Sequence, residues 1–182
     1  MTALERTPPE IKPLIEQLAL REVRYVVFGS GGAWCYGANI SPGDFDICPA
    51  LDLANLTRLG AVLAAIDARP RVIPGWMTAE ESAAWAPHPA TDANLDHLFK
   101  TGFGDLDVVP RPFGPRGKTD RFDFQRLFGR SATVEVAGLP VHVAGIDDLI
   151  ASKLSQRRAK DLAALPELER IRDRFRVSAA GD

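Results

Sequence analysis

The chain reads as a mixed α/β (α+β) protein, and three observations predict this class. Short apolar runs suited to strands, "YVVF", "DFDIC" and "DLDVV", alternate with longer stretches in which leucine and isoleucine recur at helical spacing. The stretch "ATVEVAGLPVHVAG" alternates apolar and polar residues on both sides of Ala137-Gly138, the pattern of a hairpin. The region from about 146 to 176 is helical by composition and period, which gives a C-terminal helical extension.

The elements follow in chain order. Ile11, Leu14, Ile15, Leu18 and Leu20 form the apolar stripe of a first helix after the Pro8-Pro9 start. "RYVVF", Arg24 to Phe28, is a buried strand ended by the Gly29–Gly32 cluster, and "AWCYG" makes a short helix closed by Gly37. "DFDICPA" is a strand stopped at Pro49. Leu53, Leu56, Leu59, Leu63 and Ile66 mark the clearest helix. Thr78 and Glu81 have capping-box spacing for a short helix. "PHPATDAN" is a loop, and "LDHLFKTGFGDLDVVPR" gives two strands about a glycine turn, the second spanning Asp105 to Val109. "PFGPRGKTD" is a loop carrying Arg116 and Lys118, read as plain surface, and the final helical stretch is expected to break near Pro166.

Bulk composition narrows the function classes. The 182 residues fit one domain, 1–182, with 46% hydrophobic and 25% charged residues and a net charge of -2. That charge gives no overall attraction to nucleic acid, so any polyanion must be met locally. No run approaches the ~18–20 apolar residues of a membrane span, and "MTALERTPPE" lacks an apolar signal core, so a cytoplasmic location without membrane partners is expected. Cys35 and Cys48 are expected as buried free thiols. His88, His97 and His142 suggest structural roles, and Trp34, Trp76 and Trp85 suggest core packing.

The glycine cluster "GSGGAW" carries the functional question. A dinucleotide fingerprint would place its third glycine at Trp34, whose indole would block close packing of helix on strand. An esterase elbow would need glycine at Phe28, and a Walker loop would need a lysine that is absent. What remains is a Gly-Ser at a helix start, upstream of Asp44 and Asp46. Residues two apart on a strand project to one face, so these carboxylates point together while Phe45 turns into the core. Carboxylates held side by side repel unless a cation or proton lies between them, and Mg²⁺ prefers such hard oxygen ligands together with phosphate oxygens. An Asp-x-Asp phosphatase would place the pair after an apolar strand, where Pro42-Gly43 stands instead.

Gly29-Ser30 followed by Asp44-Phe45-Asp46 resembles the signature of the polymerase-β-type nucleotidyltransferase superfamily, and "IDDLIASKLSQRRAKDLAAL" is similar to the ending of small bacterial nucleotidyltransferase-like proteins related to toxin–antitoxin components. The resemblance implies the nucleotidyltransferase fold, a mixed sheet flanked by helices. It implies a third carboxylate, best supplied by Asp107 with Asp105 on the same face as the fallback. It further implies two Mg²⁺ ions held by Asp44, Asp46 and Asp107, an NTP substrate bound at Gly29, Ser30, Ser41 and Lys153, and transfer to an acceptor hydroxyl on an RNA end, a protein or a small molecule. A cognate toxin or antitoxin is the partner it suggests. Small members often carry Arg-x-Thr before the first Asp; the corresponding positions here are Ile40-Ser41-Pro42, where Ser41 is expected to replace part of the hydrogen bonding and no arginine stands. That difference supports a second reading, a catalytically weak or inactive binding module on the same fold. On the late helix, Lys153, Arg157 and Lys160 are spaced to make one basic face beside Ile150 and Leu154, which suits a triphosphate, an RNA backbone or solvent with Arg157 paired to Asp161.

Overall fold

The computed structural model describes residues 8–86, 97–116 and 119–179. His88, Lys118, the "PHPATDAN" loop and the first residues of the strand expected from Leu95 lie outside the described residues. Among the described residues, seven strands form one mixed sheet: β1 (Tyr25–Phe28), β2 (Phe45–Pro49), β3 (Arg69–Pro70), β4 (His97–Thr101), β5 (Gly104–Val108), β6 (Ala132–Val136) and β7 (Leu139–Val143), in the order β3-β4-β5-β2-β1-β7-β6. The pairs β2–β5 and β1–β7 are parallel and the others antiparallel. Seven described helices surround it: α1 (Ile11–Leu20), α2 (Gly29–Cys35), α3 (Leu53–Ala65), α4 (Ala79–Ala84), α5 (Phe124–Phe128), α6 (Ile146–Gln156) and α7 (Ala159–Ala179).

The period of two along each strand divides the core between the sheet faces. Val27, Phe45, Ile47, Phe99, Leu106, Val108, Val141 and Val143 pack with the apolar stripes of α1 and α3. Val26, Cys48 and Ala144 pack with α2, α5, α6 and α7. Asp46 shares the parity of Cys48, and Asp105 and Asp107 alternate with Leu106 and Val108. The carboxylates therefore lie on the second face, and their apolar neighbours anchor the strands through the first. Burying a side chain such as Phe45 or Ile47 contributes about 1.5–3 kcal/mol each, which holds the carboxylate-bearing strands in register.

Several expectations are met in detail. Thr78 and Glu81 form the full capping box. Ala137 and Gly138 both have positive φ, 53° and 81°, the pairing a tight hairpin needs. Both cysteines are free, Cys48 fully buried and Cys35 half-buried, and burial pushes each thiol up to about 12. Trp85 packs on His97 and Phe99.

Others are corrected. Leu20 and Leu53 sit at helix ends with their side chains in solvent, since the apolar stripe of each helix is complete without them. Trp34 is partly exposed and Trp76 is 63% exposed, so neither is a core residue. The helical break comes at Arg157, not Pro166. Arg157 adopts φ 50°, the left-handed conformation that ends a helix, and Asp161 accepts from the Arg158 backbone N–H to start the next. Pro166 lies within the 21-residue α7. Strand β3 and helix α5 have no period long enough to read from sequence.

Candidate active site

The junction of β1 and α2 is built on Gly29. Its φ is +64°, and a Cβ there would overlap the Asp46 carboxylate, so only glycine lets Asp46 lie against this backbone. Ser30 falls inside the first turn of α2, not at the cap, which is Phe28. Asp44 immediately precedes β2, and Asp46 lies within it. Asp46 pairs in register with Phe28 on one side and Asp107 on the other. Two ladders thus bring together residues widely separated in sequence.

Asp44, Asp46 and Asp107 each present an oxygen within 4.8 Å of the others, and Asp44 and Asp107 are buried. The cluster opens on a cavity of about 320 Å³ that Gly29, Ser30, Lys153 and Lys160 also line. Lys153 is 7% exposed and stands 3.6 Å from Asp161. Burial pushes its ammonium below the usual lysine range, opposed by the charges of Asp161 and Asp46. Burial pushes Asp161 upward, but Arg158, bonded to both its oxygens, and Lys153 outweigh it and hold the carboxyl below the usual range.

Of the residues expected at the site, Asp44, Asp46, Asp107, Gly29, Ser30 and Lys153 line this one cavity. Ser41 is exposed and lies outside its wall, because Ile40 packs into the second core and turns the segment. Asp105 shares the face of Asp107 but is buried away from the cavity, bonded to Arg71. The single basic face is corrected: the turn at Arg157 separates Lys153 from Lys160, which reach the cavity from different helices, and Arg157 does not line it. Asp161 pairs with Arg158 and Lys153, not Arg157, because the left-handed turn at Arg157 puts Arg158 at the start of α7. Arg116 is exposed and outside the cavity.

Sequence reasoning missed Arg71 and Arg158, and it gave Asp161 the wrong arginine. Arg71 is 3% exposed and donates to Asp105 at 2.7 Å and to Asp107 at 2.6 Å. It stands between prolines with no periodic context. The available signal was indirect: two aspartates on one face of a buried strand require a cation, but 22 lysines and arginines could supply it.

No protein-family model and no curated protein matches the chain. Solved structures do. The solution structure of the antibiotic-resistance factor ANT(2'')-Ia is similar over 94% of this chain and 91% of that one, with 14% identity and a TM-score of 0.52. A Thermotoga maritima protein provisionally assigned as a nucleotidyltransferase (91% and 90% covered) and ANT(2'')-Ia in complex with adenylyl-2''-tobramycin (91% and 96%) each show 14% identity and a TM-score of 0.46. The fold is the polymerase-β-type nucleotidyltransferase fold. Among the described residues, no helix is long and apolar enough to cross a membrane.

Proposed function

We propose that the protein transfers a nucleoside monophosphate from an NTP to an acceptor hydroxyl in a Mg²⁺-dependent reaction, the acceptor being an RNA end, a protein or a small molecule. The observation that carries this reading is the meeting of Asp44, Asp46 and Asp107 with Lys153 and Gly29-Ser30 around one cavity. The donor set fits magnesium: carboxylate oxygens within 4.8 Å of each other are hard ligands suited to that ion, with phosphate oxygens and water completing its shell. When bound, the ion would neutralise phosphate charge and favour the ionised acceptor hydroxyl.

The chain's own groups have separate tasks. Gly29 keeps the backbone close to Asp46, so a phosphate chain can approach without meeting a Cβ. The Ser30 hydroxyl is a donor at the same mouth. Lys153, partly desolvated and paired with Asp161, gains a further counter-charge when a triphosphate enters, which favours its ammonium form. The Asp107 carboxylate takes the proton of the acceptor hydroxyl as the new O–P bond forms at the α-phosphorus. The α–β bridging P–O bond breaks and pyrophosphate leaves.

Calorimetric titration of an NTP with Mg²⁺ tests this directly. Binding is expected for the wild type and should weaken at least about 100-fold in Asp46→Asn, since even residues behind a metal ligand contribute 10–100-fold. Mg²⁺-independent binding, or equal binding by both proteins, would sink the proposal. Exposed Ser41, outside the cavity, favours a second reading, a binding module acting with a toxin or antitoxin partner. Transfer of label from an α-labelled NTP to any acceptor in cell extract separates the two, because a pure binding module transfers none.

A further inference from the structure

Behind Asp107 lies a second ionic layer. Arg71 donates Nη1 to Asp105 Oδ2 at 2.7 Å and Nη2 to Asp107 Oδ1 at 2.6 Å, and all three side chains are at least nine-tenths buried. The Arg71 backbone N–H bonds the Leu98 carbonyl, and Leu98 faces Asp107, which faces Asp46. Arg71 therefore stands at the end of the row of residues that crosses the sheet into the carboxylate cluster.

The shape of the contact is informative. A guanidinium serving a single buried carboxylate is held most strongly through two parallel N–H bonds to it. Here its two terminal nitrogens go to different carboxylates. Arg71 Nε and Asp105 Oδ1 are left buried without a hydrogen-bond partner, which carries a desolvation cost. The split neutralises both buried aspartates, and through the same contacts it holds Asp107 by one oxygen in a fixed orientation. Asp105 anchors one arm of the fork, and the other arm fixes the plane of the Asp107 carboxyl.

The geometry points to Arg71 as a positioning residue: anchored by Asp105, it sets the orientation in which Asp107 joins Asp44 and Asp46 as a metal-binding cluster. Arg71 acts through Asp107, and the inference rests on the reading of Asp107 as a site carboxylate given above. It requires no titration of the cluster and no further ligand.

The test is Mn²⁺ binding followed by electron paramagnetic resonance, with α,β-methylene-ATP present, so that no acceptor or turnover is needed. Asp107→Asn defines the component of binding that depends on the third carboxylate. Arg71→Met should weaken that component about 10–100-fold and leave the remainder within about threefold, with Arg71→Lys recovering part of the loss because an ammonium can hold one carboxylate. Far-UV circular dichroism and urea midpoints establish which variants fold. A folded Arg71→Met that binds Mn²⁺ as the wild type does, or loses both components alike, overturns the assignment. If Arg71→Met does not fold, Arg71→Lys decides: selective weakening of the Asp107 component supports it, and unchanged or uniformly weakened binding overturns it. A wild type that binds no Mn²⁺ removes the functional reading itself and this inference with it, an outcome distinct from failure of the Arg71 variants alone.

Discussion

The carboxylate wall of the cavity rests on adjacent strands, whereas the cationic wall facing it sits at a break between two helices. On the first wall, Asp46 and Asp107 are ladder neighbours, and Arg71 ties Asp107 to Asp105 from a third strand edge. On the second, Arg158 and Asp161 are three residues apart, and Lys153 joins them from the preceding helix. Both walls contain buried charge, but they differ in how many elements must move to change them. The sheet wall is set by strand register, while the helix wall is set by the turn at Arg157. The arrangement contrasts acidic side chains fixed by paired strands with a counter-charge held at a helix break.

Removing one charge from each wall should expose that difference most sharply. Arg71→Met leaves two aspartates buried without their cation and is expected to lower stability by about 3–5 kcal/mol in urea denaturation. Gly29→Ala forces a side chain into the left-handed region, at about 1–2 kcal/mol, and also displaces the Asp46 carboxylate. Its mark is therefore a loss of Mg²⁺-NTP affinity larger than the stability change. Arg158→Met, by contrast, removes a half-exposed side chain and leaves buried Asp161 its partner Lys153, so it should cost less, about 1.5–3 kcal/mol for the lost charged hydrogen bonds. Equal losses from the two arginine variants would break the comparison.

Acid provides the gentlest probe of the helix wall. Asp161 is held below its ordinary value of 3.8, so the unfolded chain takes up its proton first as pH falls. Its contribution is fully present above that value and is lost as pH drops through the lower folded value. Urea midpoints should thus decline below about pH 4, and Asp161→Asn should flatten that decline while leaving the profile above pH 5 unchanged in shape. A variant with the same acid slope as the wild type would show that other carboxylates control it.

Much of this architecture was legible from local pattern. The strand period put Asp44 and Asp46 together and left Asp105 and Asp107 on one face, the resemblance favoured Asp107 as the third carboxylate, and the structure gathers Asp44, Asp46 and Asp107 into one cluster. The α1 and α3 stripes, the Thr78 capping box and the Ala137-Gly138 hairpin were readable because each depends on residues within one or two turns. Ser41 misled because a motif position says which residue is present, not whether its neighbour Ile40 will pull the segment into a core. Lys153, Arg157 and Lys160 misled because helical spacing assumes an unbroken helix, and the left-handed turn at Arg157 has no marker such as glycine.

By itself, then, the sequence determined most of the elements, the Asp44–Asp46 pair and the glycine at position 29, since these follow from periodicity and backbone conformation within short segments, while it left Asp107 and Asp105 both open as the third carboxylate. Only the tertiary structure decided that Arg71 spans Asp105 and Asp107, that Asp161 joins Lys153 to Arg158, and that Ser41 stays outside. These are choices of partner among many like charges. Partner choice across the chain is made by strand order and side-chain burial, which become defined only when β3, β4 and β5 pair and helices α6 and α7 close over the sheet.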